Sequence, residues 1–245
     1  MKEILDEGIN DKYLFKSVFM AGGGGSGKGW VVSNYFGIDK KIGMSPQGIK
    51  VVNSDNAFEY LLKRSNLPLT INMEDKNTFD QQMVQRELAK EITNKRLSNF
   101  IDGMLPLIMD GTGKDFDKIK KQKLALEGLG YDTAMIFVNT TLDVAQKRNM
   151  SRERKIDPSI IEASWYEVQN NIGKFQSLFG IDNFIIIDNS TSYTDEQLNK
   201  IIISMFKAGE KLFSKPLKNR KGNYIISYLK KNGGKTLRDI PDIDF

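Results

Sequence analysis

The chain has no cysteine and no histidine among its 245 residues. Without cysteine there is no disulfide partner and no thiolate-held zinc. Without histidine there is no imidazole base and no imidazole metal ligand. Proton transfer then falls to Asp, Glu, Lys or Tyr, and a metal ion has to be a hard cation on oxygen ligands. No apolar run approaches the roughly 20 residues that a membrane span needs. The opening MKEILDEGIND carries acids and no apolar centre, unlike a signal peptide. A cytoplasmic protein with no membrane partner is expected.

What is present has the balance of a globular chain. Hydrophobic residues make up 40% and charged residues 27%, which suffices for one α/β domain with a full core. The net charge of +5 is unevenly spread. From Lys211 to Arg238 there are nine lysines and arginines and no acid, so the rest of the chain is slightly acidic. A body of that charge does not suggest a general nucleic-acid binder, whereas the tail has the charge for it.

Strand-length apolar runs alternate with amphipathic helical segments. LFKSVFMA leads into a glycine loop, and WVVSNYF behind it has helical spacing with Gly37 as its cap. Further strands are read at IKVVNSD, LPLIMDG, DTAMIFVNT and NFIIIDNS. Helices are read at NAFEYLLKR, residues 77–100, KDFDKIKKQKLALEGLG, TLDVAQKRN, DPSIIEASWYEVQNNIGKFQSLFG and TDEQLNKIIISMFKAGEKLF. Pro158 suits the first turn of its helix. The alternation predicts a five-stranded, mostly parallel sheet with helices on both faces. Ligands of such sheets gather at the carboxyl ends of the strands.

The glycine loop, VFMAGGGGSGKGWVV, reads as Gly22-x-x-x-x-Gly27-Lys28, a phosphate-binding loop between a strand and a helix. Backbone N–H groups of Gly23, Gly24, Gly25, Ser26 and Gly27, with the helix N-terminus, would cradle phosphates, and Lys28 adds a cation. Gly29 stands where a Ser or Thr hydroxyl normally touches Mg²⁺. Asp110 ends the apolar LPLIM, where P-loop proteins place an acid that holds Mg²⁺ directly or through water. Thr112 either joins that shell or caps the next helix. Asp55 follows the second strand. It is either the carboxylate that accepts a proton from an attacking hydroxyl or a helix cap. KRNMSRERKID sets Arg148 and Arg152 four apart, with Arg154 beyond, either as a solvated turn or as cations that close over a transferring phosphate.

Taken together, GGGGSGK, NSD, LIMDGTG and KRNMSRERKIDPSII resemble phage polynucleotide 5′-kinases and the related zeta-toxin kinases. They are most similar to small P-loop kinases of bacteriophage genomes. The resemblance spans about residues 15–205. It implies a P-loop NTPase fold with an arginine-bearing lid, and ATP and Mg²⁺ as cofactors. The loop, Lys28 and Gly29 would then lie on the ATP phosphates and Asp110 on the metal. Asp55 would be the general base, and Arg152 the lid arginine with Arg148 supporting it. The domain division expected is a helical segment over 1–14, a kinase domain over 15–209 and a basic extension over 210–245.

Two departures qualify the resemblance. Gly29 removes a metal-binding hydroxyl, for which a water could stand in, and the chain is too short for a fused phosphatase domain. The expected function is ATP-dependent transfer of the γ-phosphate to a hydroxyl of a nucleic acid or nucleotide-like acceptor. One rival is a sugar-nucleotide kinase, as the zeta-toxin resemblance implies. The other is a nucleotide-dependent binding module whose basic tail grips DNA or RNA. In that tail, Tyr224 and Tyr228 alternate with cations as in single-strand binders. YIISYL, however, is apolar enough to pack on the core, and packing is the reading expected.

Overall fold

The computed structural model describes residues 8–38, 43–71, 74–151, 156–191 and 194–241. Five strands form one sheet: β1 (Lys16–Ala21), β2 (Lys50–Val52), β3 (Leu107–Asp110), β4 (Asp132–Asn139) and β5 (Phe184–Asp188). Their order is β2-β3-β1-β4-β5, and every pairing between them is parallel. An isolated antiparallel bridge joins Met44 and Lys50.

The two-residue period of the strands sorts the core into two layers. Phe19, Ala21, Met109, Met135 and Phe137 point to one face. There they meet Ile119 and Leu126 of α4 (Phe116–Gly128), Val168 of α6 (Pro158–Gln169), and Phe175 and Phe179 of α7 (Ile172–Phe179). Val18, Met20, Ile108, Ile136 and Val138 point to the other face. They meet Val31, Val32 and Phe36 of α1 (Lys28–Phe36), and Met205 and Phe213 of α8 (Asp195–Phe213). A third, smaller cluster of Phe58, Leu62 and Ala89 joins α2 (Asp55–Arg64) to α3 (Lys76–Asp102). The C-terminal part of α3 also packs on the first layer through Leu97, Phe100 and Ile101.

Three sequence expectations need correction. The single helix read over residues 157–180 is two helices, α6 and α7, broken at Asn170 and Asn171. At the break, the buried side-chain amide of Asn171 donates to the carbonyls of Gly113 at 3.1 Å and Lys114 at 2.9 Å, and ties the junction to the loop after β3. The second strand stops at Val52, and Asp55 already belongs to α2. Residues 8–14 run in turns rather than the expected helix, and residues 1–7 lie outside the described residues.

The C-terminal extension packs on the core. Its helix α9 (Arg220–Asn232) buries Ile225 and Leu229 among Leu14, Phe15 and Tyr131. Lys16 Nζ lies 2.7 Å from Asp132 Oδ2 and also donates to the Pro216 carbonyl. Asn219 donates its amide to the carbonyls of Glu127 and Tyr131. A Cβ on Gly222 would come within 2.2 Å of the Gly130 carbonyl oxygen, so only glycine permits this approach. Lys16 and Asp132 open β1 and β4, so the extension is anchored at the end of the sheet opposite the glycine loop.

Candidate active site

The loop between β1 and α1 is built by backbone geometry. Gly25 and Gly27 have φ of 79° and 85°, a left-handed conformation that side chains resist. Space is also lacking. A Cβ on Gly25 would meet the Ala145 carbonyl oxygen at 2.3 Å, and one on Gly27 would meet Asn189 Nδ2 at 2.2 Å. Asn189 follows β5 and donates that amide to the Ser26 carbonyl at 2.8 Å, so it props the loop from below. Arg148, on α5 (Leu142–Met150), reaches the same place, since its Nη1 would lie 3.5 Å from a Cβ on Gly27. Gly22 N–H donates to the Thr112 carbonyl, tying the loop to the segment after β3.

Lys28 opens α1 and donates from Nζ to the carbonyls of Gly22 at 2.6 Å and Gly23 at 3.2 Å. Its charge thus sits over the loop that it follows. Gly29 lies in the first turn of α1, and a Cβ there would meet nothing within 4 Å. Trp30 packs toward the second core face. The glycine therefore makes no steric room for its neighbours; it leaves open space.

Asp110 ends β3 beside the loop. Burial pushes its carboxyl above the usual range, while the Lys28 charge and the Asn53 amide pull it back and the nearby Asp55 adds to the rise. Asn53 Nδ2 donates to Asp110 Oδ2 at 2.6 Å. Asp110 Oδ1 is buried without a hydrogen-bond partner. An orphaned carboxylate oxygen next to a phosphate loop fits a hard divalent cation, which Mg²⁺ is. No three acidic side chains gather as a metal cluster among the described residues. An ion here would depend on Asp110, phosphate oxygens and water, which is the ordinary manner of Mg²⁺.

Asp55 is the first residue of α2. Ser54 holds the cap position, and no side chain caps the helix. Asp55 is therefore not the cap that its local sequence allowed. Its backbone N–H goes to Asn53 Oδ1 at 2.7 Å, and its Oδ1 lies 2.9 Å from Arg86 Nη1 on α3.

One cleft of about 780 Å³ takes in the glycine loop, Lys28, Gly29, Asn53, Asp55 and Asp110. Its far walls carry Arg86, Lys90 and Asn94 from α3 and Lys114 and Lys118 from α4 and the loop before it. The structure thus brings together the loop, Lys28, Asp55 and Asp110, with Arg148 against the loop. Arg152 and Arg154 lie outside the described residues. Sequence reasoning missed Asn53, Arg86 and Asn189. Asn53 stands inside the quoted NSD and was legible as a polar residue at a strand end. The other two gave no local signal.

The family model described as Zeta toxin matches residues 15–197. No curated protein sequence matches the chain. A solved structure from the PezAT toxin–antitoxin system of Streptococcus pneumoniae is 15% identical. It has a TM-score of 0.52, over 86% of this chain and 91% of that one. A putative kinase from Chloroflexus aurantiacus is 13% identical with a TM-score of 0.50, over 77% of this chain and 95% of that one. A chain of the Pnkp1/Rnl/Hen1 RNA repair complex is 12% identical with a TM-score of 0.49, over 91% and 86%.

Proposed function

We propose that this chain, which belongs to the zeta toxin family of P-loop kinases, transfers the γ-phosphate of ATP to a hydroxyl of a nucleotide-like acceptor, with a sugar nucleotide as the acceptor class. The observation that carries the reading is the single cleft in which Asp55 shares a wall with the glycine loop, Lys28 and Asp110. A nucleotide site that only switches has no use for a carboxylate facing the phosphate end. A phosphotransferase does, because the acceptor hydroxyl must give up a proton.

In this reading the loop amides and Lys28 hold the β- and γ-phosphates, and Arg148 steadies the loop. Asp110 would hold Mg²⁺, which neutralises phosphate charge when bound. Arg152 is proposed as the lid arginine on the same phosphates. The acceptor lies between α3 and α4, where Lys90, Lys114 and Lys118 line the cleft. Three lysines around a space of that size suit a compact anion such as a nucleotide. The basic tail is anchored at the other end of the sheet, so it does not line this cleft.

The test is label transfer from [γ-³²P]ATP with Mg²⁺ to a panel of sugar nucleotides, nucleosides, DNA and RNA with free 5′-hydroxyls, and modified-base DNA. Label on a sugar nucleotide is the expected result. Label on polynucleotides alone would replace the acceptor class and keep the kinase. Label reaching only inorganic phosphate would overturn phosphotransfer to an organic hydroxyl.

A further inference from the structure

Three aspartates of this chain begin helices in the ordinary way. Asp75 takes the N–H groups of Asn77 and Thr78, Asp115 that of Lys118, and Asp157 that of Ser159. Each satisfies an orphan donor at a helix start. Asp55 stands at a helix start as well, and a carboxylate there is drawn to free N–H groups and to the positive end of the helix dipole. Yet it caps nothing. Its Oδ1 is held by Arg86, 31 residues further along the chain.

Arg86 is itself fixed. Its guanidinium carbon lies 5.0 Å from the centre of the Phe58 ring, and Phe58 is buried between α2 and α3. One turn earlier on α3, the fully buried Gln82 donates to the carbonyls of Pro68 and Thr70, which pins the helix to the α2–α3 connection. The cation sits on a firm aromatic surface, and its side chain is only 31% exposed. A guanidinium stacked on a ring and paired with a carboxylate has little freedom left.

We propose that Arg86 is the positioning residue of Asp55: it holds the carboxylate at the cleft, with one oxygen bonded and the other open to the acceptor's proton. This rests on the reading of Asp55 as the base. In the transfer step the acceptor O–H proton passes to Asp55 while the acceptor oxygen bonds to the γ-phosphorus. The bond from that phosphorus to the bridging oxygen breaks, and its electron pair leaves with ADP. Arg86 keeps its protons throughout. Without Arg86 the carboxylate loses the contact that fixes its rotamer and is no longer held in line with the acceptor.

The experiment is a double-mutant cycle read by ATP hydrolysis, with water as the acceptor and labelled phosphate as the product. Arg86→Met keeps the stem over Phe58 and removes the charge. Turnover should fall about 10–100-fold, the usual cost of a misplaced catalytic group. ATP affinity and the melting temperature should hold, and Arg86→Lys should recover part of the loss. In an Asp55→Asn background, replacing Arg86 should cost nothing further, because the two groups act as a unit. If Arg86→Met does not fold, Arg86→Lys completes the same cycle. Wild-type turnover in Arg86→Met, a lowered melting temperature with unchanged turnover, or losses that multiply in the double variant would each overturn the positioning role. Wild-type turnover in Asp55→Asn alone is a separate failure and removes the base assignment itself.

Discussion

Asn53 and Asp110 are 57 positions apart in sequence and 2.6 Å apart in space, amide nitrogen to Oδ2. Because Asn53 Oδ1 also takes the Asp55 N–H, one neutral side chain sets the two acids of the cleft relative to each other. Asn53→Ala should leave a buried carboxylate oxygen without its donor, at a cost of about 1–3 kcal/mol. Thermal melts should show a drop of roughly 2–4 °C per kcal/mol in a chain of this size. Turnover should fall too, since both acids lose their alignment. A variant with normal melting and normal turnover would show that Asn53 only fills space.

Asp110 is held in the folded chain with its carboxyl raised, chiefly by burial. A raised carboxylate means that the folded state binds protons more readily than the unfolded one. Stability therefore falls as pH rises from the unfolded value through the raised one, and is fully present only below the unfolded value. Asp110→Asn removes that penalty and keeps an oxygen for Asn53. At pH 7, without added metal, the variant should melt no lower than the wild type, and half-maximal turnover should need more Mg²⁺. A lower melting temperature would mean that the charge stabilises the fold.

Gly25 and Gly29 look alike in sequence and should respond oppositely. Gly25→Ala places a Cβ 2.3 Å from a backbone carbonyl at a φ of 79°. The left-handed backbone alone costs roughly 1–2 kcal/mol, and the overlap has to shift the loop. ATP affinity should drop sharply. Gly29→Ser meets open space in a helical first turn. It should fold normally and lower the Mg²⁺ concentration for half-maximal turnover, if the hydroxyl takes the place of a water on the ion. An unchanged magnesium midpoint with intact activity would rule out that substitution.

The extension is expected to be structural. Ending the chain at Ser214 strips Ile225 and Leu229 from Phe15 and Tyr131 and removes the Asn219 anchors. The truncated protein should be insoluble or melt far lower. A soluble truncation with weaker and less salt-dependent nucleic-acid binding would instead give the tail its own ligand.

How much of this was legible in the sequence depends on distance along the chain. The strand–helix alternation gave the parallel sheet because each strand is a contiguous apolar run. Lys28 was legible from the glycine pattern before it, and Asp55 and Asp110 as acids at the strand ends where ligands gather. Arg86 was not. An arginine on a long polar helix looks like any solvated arginine until α2 and α3 pack and set it beside Asp55. Asn189 was hidden for the same reason, being 163 residues from the Ser26 carbonyl it holds. The break at Asn171 was missed because the apolar spacing runs on through it, while the side chain's partners lie in the loop after β3.

The most direct test of the account is Asp55→Asn, measured in two ways on the same preparation. Calorimetry gives its affinity for ATP, and γ-label transfer gives its turnover on the acceptor found in the panel. Asn keeps the shape of the side chain and its backbone contact with Asn53 but cannot take the acceptor's proton. The account predicts wild-type ATP affinity with transfer reduced by about 10²–10⁴, the usual contribution of general base catalysis. Weakened ATP binding with unchanged transfer per bound ATP would contradict it, and Asp55 would then be part of the scaffold.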